Sequence, residues 1–143
     1  RNLFAVFGKL DVVVDSLECC ILQPQSEIDK VRRFLAANKL RIIEEDMVEE
    51  DGKFYPMMKV LHADDCEKQE CHEAYLEAEY IYGRFLLQNA HPVLKEFLNR
   101  EKVLKAEIIG NLKARAGANA QSRIDELEKE QIMIEKILAE YFA

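Results

Sequence analysis

The chain has 143 residues, 49% apolar and 33% charged, with five glycines, three prolines and a formal charge of −7. This size suits one domain, or one small domain with a helical appendage, and the composition excludes two full-sized domains, a disordered tail and a collagen-like fibre. No apolar run approaches the roughly 20 residues that span a bilayer and no secretory leader is visible, while four cysteines, two of them adjacent at Cys19 and Cys20, make no disulfide framework. The expectation is a cytoplasmic protein with no membrane segment and reduced thiols.

The sequence enters at Arg1 directly into Leu3-Phe4-Ala5-Val6-Phe7, as if cut within an element, so residues are expected upstream. Residues 1–8 read as the end of an amphipathic helix capped near Gly8 and Lys9. Val12-Val13-Val14 and Cys19-Cys20-Ile21-Leu22 read as short strands, the second buried on both faces and stopped by Gln23-Pro24-Gln25. Ser26 is a hydroxyl N-cap candidate for a helix carrying Ile28, Val31 and Leu35 on one face and ending near Asn38. Strand, helix and strand in this order is the repeating unit of a parallel sheet. Leu40–Val48 and Lys53–Leu61 then read as an antiparallel pair around Glu49-Glu50-Asp51-Gly52. Asp51-Gly52 supplies the positive φ of a tight turn, and firm pairing is expected only after Pro56.

From Ala63 to Gln69 the composition turns polar, which places a domain boundary there, with 1–63 in one domain and 64–143 in the other. Glu73–Gln88 reads as a helix. His91-Pro92 opens a longer one with proline at its first position, followed by Leu94, Phe97, Leu98, Leu104, Ile108 and Leu112 at helical spacing. After a break at Ala116-Gly117-Ala118-Asn119, a last helix carries Ile124, Leu127, Ile134, Leu138 and Tyr141 on one stripe. The last two helices are expected to form an antiparallel hairpin.

Four strings in fixed order, Ile21-Leu22-Gln23-Pro24, Glu49-Glu50-Asp51-Gly52-Lys53-Phe54-Tyr55, Tyr82-Gly83-Arg84-Phe85-Leu86 and the terminal hairpin, resemble the C-terminal part of the bacterial tRNA (adenine(22)-N(1))-methyltransferase family. The resemblance implies an α/β fold, the end of a Rossmann-like methyltransferase sheet followed by an α-helical antiparallel coiled-coil hairpin. It implies S-adenosylmethionine as cofactor and tRNA as partner of the full-length protein. It also places Gln23, Pro24 and Gln25 at the border of the pocket for the target adenine. The family usually has Asn where this chain has Gln25, and an acidic residue where it has Pro56. Its methyl-donor motifs, an Asp-Ile-Gly-type loop and a Gly-Met-Gly-Gly stretch, are absent from these residues. The five glycines are far apart and form no nucleoside-cradling loop, so the chain alone is expected to bind no donor and to be inactive.

The local charge supplies the physical argument for RNA, although the net charge of −7 ordinarily argues against a polyanion partner. Between Arg84 and Arg123 eight basic residues face three acids, a local charge of +5 that leaves −12 for the remainder. Arg84, Lys95, Arg100, Lys102, Lys105, Lys113 and Arg115 are the candidate RNA-binding residues, against the alternative of an ordinary solvated helix face. His62, Cys66, Cys71 and His72 carry metal-ligand chemistry, but the Cys66–Cys71 spacing fits zinc poorly and no metal site is expected. Glu44-Glu45-Asp46 and Glu49-Glu50-Asp51 read as a charged hairpin tip rather than acid–base pairs. Catalytic residues are expected outside these 143. The alternative function is a non-catalytic protein- or RNA-interaction module using the helical hairpin, with Ile124 to Tyr141 as its exposed seam. Expected partners are the missing N-terminal half of the same protein, or a second copy joined through an open sheet edge or the hairpin.

Overall fold

The computed structural model describes residues 20–62, 74–115, 117 and 119–143. In order these form β1 (Cys20–Leu22), α1 (Ile28–Ala37), β2 (Leu40–Glu50), β3 (Lys53–His62), a π-helical turn (Glu79–Gly83), α2 (Arg84–Gln88), α3 (Pro92–Ala114) and α4 (Ala120–Tyr141). The expected helix at 1–8, the strand at Val12–Val14 and the polar stretch Ala63–Gln69 lie outside the described residues.

Asp51 (φ 52°) and Gly52 (φ 78°) form the two-residue turn between β2 and β3, both in the left-handed region that a tight hairpin demands. Pairing starts immediately at Glu50 opposite Lys53, so Glu49 and Glu50 belong to the ladder and not to the turn. Pro56 does not delay it either: it sits opposite Met47. The ladder tolerates the missing N–H because β1 reaches only Met58, Lys59 and Val60, leaving Pro56 on a stretch of β3 paired on one side.

The sheet order is β1-β3-β2. Both outer strands run antiparallel to β3, so β1 and β2 share one direction, as a strand–helix–strand unit requires. They are not bonded neighbours, however, because β3 inserts between them. One face of this sheet carries a core of Val31 and Leu35 from α1 against Leu40, Ile42, Met58 and Val60, with Leu22, Ile28, Phe34 and Phe85 packed around it. Each such side chain contributes about 1.5–3 kcal/mol on burial. Among the described residues the packed cover lies on that face, and β1 is not buried on both faces: Ile21 is 70% exposed.

α1 starts one residue later than its hydroxyl signal predicts. Glu27, not Ser26, is the N-cap; its backbone is left-handed (φ 50°) and its side chain makes no cap hydrogen bond, pairing instead with Lys30 at 2.6 Å. The segment expected as one helix over 73–88 is broken. The π-helical turn ends at Gly83, whose φ of 103° and ψ of 123° interrupt the helical path before α2.

The chain forms two compact units, one ending at Asn89 and the other spanning Ala90–Ala143. The first unit therefore includes the helical segment up to Gln88. In the second, His91 caps α3, its Nδ1 accepting from the Val93 N–H, with Pro92 at the first helical position. α3 and α4 are antiparallel, with Lys102 opposite Glu135 and Lys113 opposite Glu128. Ile109, Ile124 and Leu127 form a core cluster between them, with Leu112 and Ala120 against it.

Candidate functional site

Gln23, Pro24 and Gln25 form the turn from the end of β1 to α1, with both glutamines exposed and the proline buried. They lie in the unit that ends at Asn89, as does Arg84, whereas Lys95 to Arg115 belong to α3 and its C-cap in the other.

The densest polar construction in the first unit is centred on two residues that sequence reasoning did not single out. Arg32 of α1 and Glu45 of β2 form an ion pair whose side chains are 1% and 0% exposed, with Arg32 Nη2 2.9 Å from Glu45 Oε2. Arg32 also donates through Nη1 to the carbonyls of Tyr80 (2.9 Å) and Ile81 (3.0 Å). Glu45 accepts from the Phe85 N–H at 3.4 Å. The cation thus sits at the carbonyl end of the π-helical turn and the anion at the N–H end of α2, each matching the charge of the helical end it meets. Gly83 lies between these ends, and a Cβ there would stand 2.5 Å from Glu45 Oε2 and 2.9 Å from Arg32 Nη2. Burial pushes the Glu45 carboxyl above its ordinary range, while Arg32 pulls it down.

A second layer surrounds this pair. Arg84 stacks 3.9 Å above the Tyr75 ring, bonds Glu79 Oε2 at 2.9 Å and donates to the Ala74 carbonyl at 2.8 Å. Tyr75 and Tyr80 meet with ring centroids 5.1 Å apart, and Arg33 covers Tyr80 at 4.6 Å while pairing with Glu77. Burial lifts the Tyr75 hydroxyl to about 12. Arg84, a candidate RNA-binding residue, thereby has its guanidinium engaged by three protein groups.

The α3 cations differ among themselves. Lys95, Arg100 and Arg115 are exposed. Lys102 and Lys113 are 46% and 61% exposed and pair loosely with α4 carboxylates, Glu135 at 3.6 Å and Glu128 at 3.4 Å. Such exposed pairs are worth about 0–1 kcal/mol. Lys105 is only 15% exposed and bridges Glu101 at 2.9 Å and Glu130 at 3.1 Å. Burial works against its charge, but the two carboxylates prevail and hold its ammonium above the ordinary value.

Cys66, Cys71 and His72 lie outside the described residues, as does the His62 side chain. Among the described residues no three His, Cys, Asp or Glu side chains are grouped to hold a metal, and no helix is long and apolar enough to cross a membrane. The Ile124–Tyr141 stripe is not an exposed seam. Ile124, Leu127 and Ile134 are at most 4% exposed, the first two packed with Ile109 of α3, so the seam of the alternative function is already occupied within the chain.

Residues 9–137 match the family model of the tRNA (adenine(22)-N(1))-methyltransferase. The chain belongs to this family. A Mycoplasma pneumoniae protein proposed as a tRNA methyltransferase is 35% identical over 86 residues, covering 59% of this chain and 34% of the relative. A Streptococcus agalactiae protein of the NADB-Rossmann superfamily superposes with a TM-score of 0.72 at 25% identity, covering 94% of this chain and 55% of its own. A Streptococcus pneumoniae protein proposed as a tRNA (m1A22) methyltransferase gives a TM-score of 0.74 at 23% identity over 95% of this chain and 54% of that one, and has also been solved with S-adenosyl-L-methionine. The chain thus spans about half the length of these structures and a third of the Mycoplasma relative. The mixed α/β fold with Rossmann-superfamily neighbours agrees with the resemblance.

Within the family string Tyr82-Gly83-Arg84-Phe85-Leu86, three consecutive residues now have physical roles. Gly83 leaves room for the ion pair, Arg84 locks the turn through Glu79, and the Phe85 N–H donates to Glu45. In the sequence Glu45 sits inside an acidic run that reads as a charged hairpin tip, and the structure buries it instead.

Proposed function

We propose that this chain is the C-terminal portion of an S-adenosylmethionine-dependent tRNA (adenine-N1)-methyltransferase. The observation that carries this reading is the family-model match over residues 9–137. The glycines offer the donor no cradle among the described residues. Gly52 closes the hairpin turn, Gly83 is filled by Glu45 and Arg32, Gly110 is inside α3 and Gly117 lies between α3 and α4. The donor is therefore assigned to residues of the longer protein, and no catalytic step is assigned to this chain.

What the chain contributes is substrate handling. Gln23 and Gln25 are exposed where a strand ends and a helix begins, the edge at which open α/β sheets receive ligands. A side-chain amide there can hydrogen-bond the edge of the target adenine. Exposed Lys95, Arg100 and Arg115, with Lys102 and Lys113, give α3 the cations for a tRNA backbone. Among the described residues β1 is paired along one edge only, and its exposed Ile21 sits beside the open edge. The partner assigned to that edge is the N-terminal half of the same protein.

The test is methyl transfer by the protein extended to its relatives' length. With labelled S-adenosylmethionine and tRNA, label should enter the tRNA and create a primer-extension stop at one adenine. Absence of transfer would overturn the reading. For this chain alone, tRNA binding should weaken with salt, with the salt slope falling by about one for each reversed lysine among Lys95, Lys102 and Lys113. A binding curve flat with salt would remove the electrostatic part of the proposal.

A further inference from the structure

The Arg32–Glu45 pair has more bonds than a pair serving only its own neutrality needs. Arg32 reaches Glu45 through both Nε (3.3 Å) and Nη2 (2.9 Å) and uses Nη1 for two carbonyls in a different element. Glu45 answers with the Phe85 N–H across the break. Two consecutive elements, α1 and β2, and a broken helix that lies 40 to 49 positions away therefore meet at one guanidinium and one carboxylate. Gly83 is the residue that admits them, since any side chain there would collide with both. A weaker, exposed link runs alongside: Arg33, next in α1, pairs with Glu77 and covers Tyr80.

We infer that the Arg32–Glu45 pair, seated in the helix break at Gly83, is a coupling joint that makes α1 and the helical segment 77–88 open and close as one unit. Releasing the segment strands a guanidinium that has lost two carbonyls and a carboxylate that has lost an N–H. Releasing α1 strands the carboxylate and the same two carbonyls. Neither element can leave alone without a buried unpaired charge or polar group, which is what couples them. α1 begins three residues after the Gln23–Gln25 turn, and α2 ends at Gln88, two residues before the second unit starts. If the functional reading above holds, the joint is a positioning element that ties the base-side turn to the chain entering the basic helix. The coupling itself does not depend on that reading.

Amide hydrogen exchange on the 143-residue chain tests it with no activity assay, so its failure and that of the functional reading are distinguishable. In the unaltered protein, the slowest amides of α1 and those of Leu86 to Gln88 should share one opening equilibrium and one urea dependence. Opening constants that differ by more than tenfold would overturn the inference. In Arg32→Met/Glu45→Met, which replaces the pair by apolar groups and leaves neither charge unpaired, the two constants should separate by tenfold or more. Constants that stay within threefold would assign the coupling to the shared apolar core and overturn it. Arg32→Lys should not restore coupling, because one ammonium cannot span a carboxylate and two carbonyls as the planar guanidinium does. Arg33→Ala, which removes the exposed link, should leave the constants equal within threefold. Should the double variant fail to fold, the comparison in the unaltered protein still decides.

Discussion

Arg32 and Glu45, thirteen residues apart, meet at 2.9 Å with no measurable solvent access to the carboxylate. A β-bulge makes that meeting possible. Leu40 and Ile42 face the core; the register of β2 against β3 then slips by one residue between Ile42 and Glu44, and the inward positions become Glu45 and Met47. Without the slip, alternation would turn Glu44 inward and leave Glu45 in water. The extra residue at Ile43 re-aims one carboxylate of an acidic run onto α1.

Gly83→Ala is expected to cost about 2–4 kcal/mol, combining a left-handed backbone position with a Cβ placed 2.5 Å from Glu45 Oε2. Gly52→Ala, also at positive φ but with nothing within 4 Å, should cost only about 1–2 kcal/mol. Urea unfolding of the two variants side by side checks the difference; equal losses would mean that the ion pair yields freely.

The Glu45 carboxyl is held above its ordinary value of 4.5, first by burial and against the pull of Arg32. The folded state therefore binds this proton more tightly than the unfolded chain. The stability from this group is complete below the unfolded value and is lost as pH rises through the folded one. Relative to Glu45→Gln, the unaltered protein should lose stability with rising pH across that window. A relative gain would show that Arg32, rather than burial, dominates the site.

Tyr75, lifted from 10 to about 12, follows the same sign on the alkaline side. Its folded-state preference for the neutral phenol contributes stability below pH 10 that is lost as pH rises through about 12. Phenolate absorbance should show a late step near pH 12 that disappears in Tyr75→Phe.

Lys105→Glu would put a third carboxylate between Glu101 and Glu130 at a site 15% exposed, and should destabilise the α3–α4 pair by about 2–3 kcal/mol. Lys102→Glu and Lys113→Glu, at exposed pairs, should each change stability by less than about 1 kcal/mol. Thermal unfolding separates the two classes, and only the second can be used to test tRNA binding without loss of structure.

Ala90 adopts a φ of 47° between α2 and α3, a position where a Cβ costs about 1 kcal/mol. Ala90→Gly should therefore be neutral to stabilising by up to about 1 kcal/mol, measured by the urea midpoint. A clear loss would mean that the methyl group packs usefully.

Local chemistry made much of the chain legible. Asp51-Gly52 can only turn tightly, Pro92 can only sit at a helix start, and the spacing of Val31 and Leu35 or of Ile124 and Leu127 can only point one way on a helix. The strings that resemble the family lie on these elements, which is why fold and family were readable together. The broken helix at Gly83 was less so. Glu79 to Gln88 reads as one helix with a single glycine inside it, and the break comes from the φ of that glycine and a pair from two other elements. The expected RNA cations divide for a similar reason: Arg84 and Lys105 look like Lys102 in sequence, yet their side chains are 13% and 15% exposed against 46% for Lys102, a difference in burial that the linear order does not reveal.

By itself, then, the sequence determined the β2–β3 turn, the apolar faces, the helix start at Pro92 and the asymmetry of charge, because these rest on residues within a few positions of one another. Tertiary structure alone decided that β3 would insert between β1 and β2, that Glu45 would turn inward, and that Gly83 would be filled by a guanidinium and a carboxylate. Those outcomes depend on groups that meet from 13 to 49 positions apart, where burial makes an unpaired charge too costly to leave.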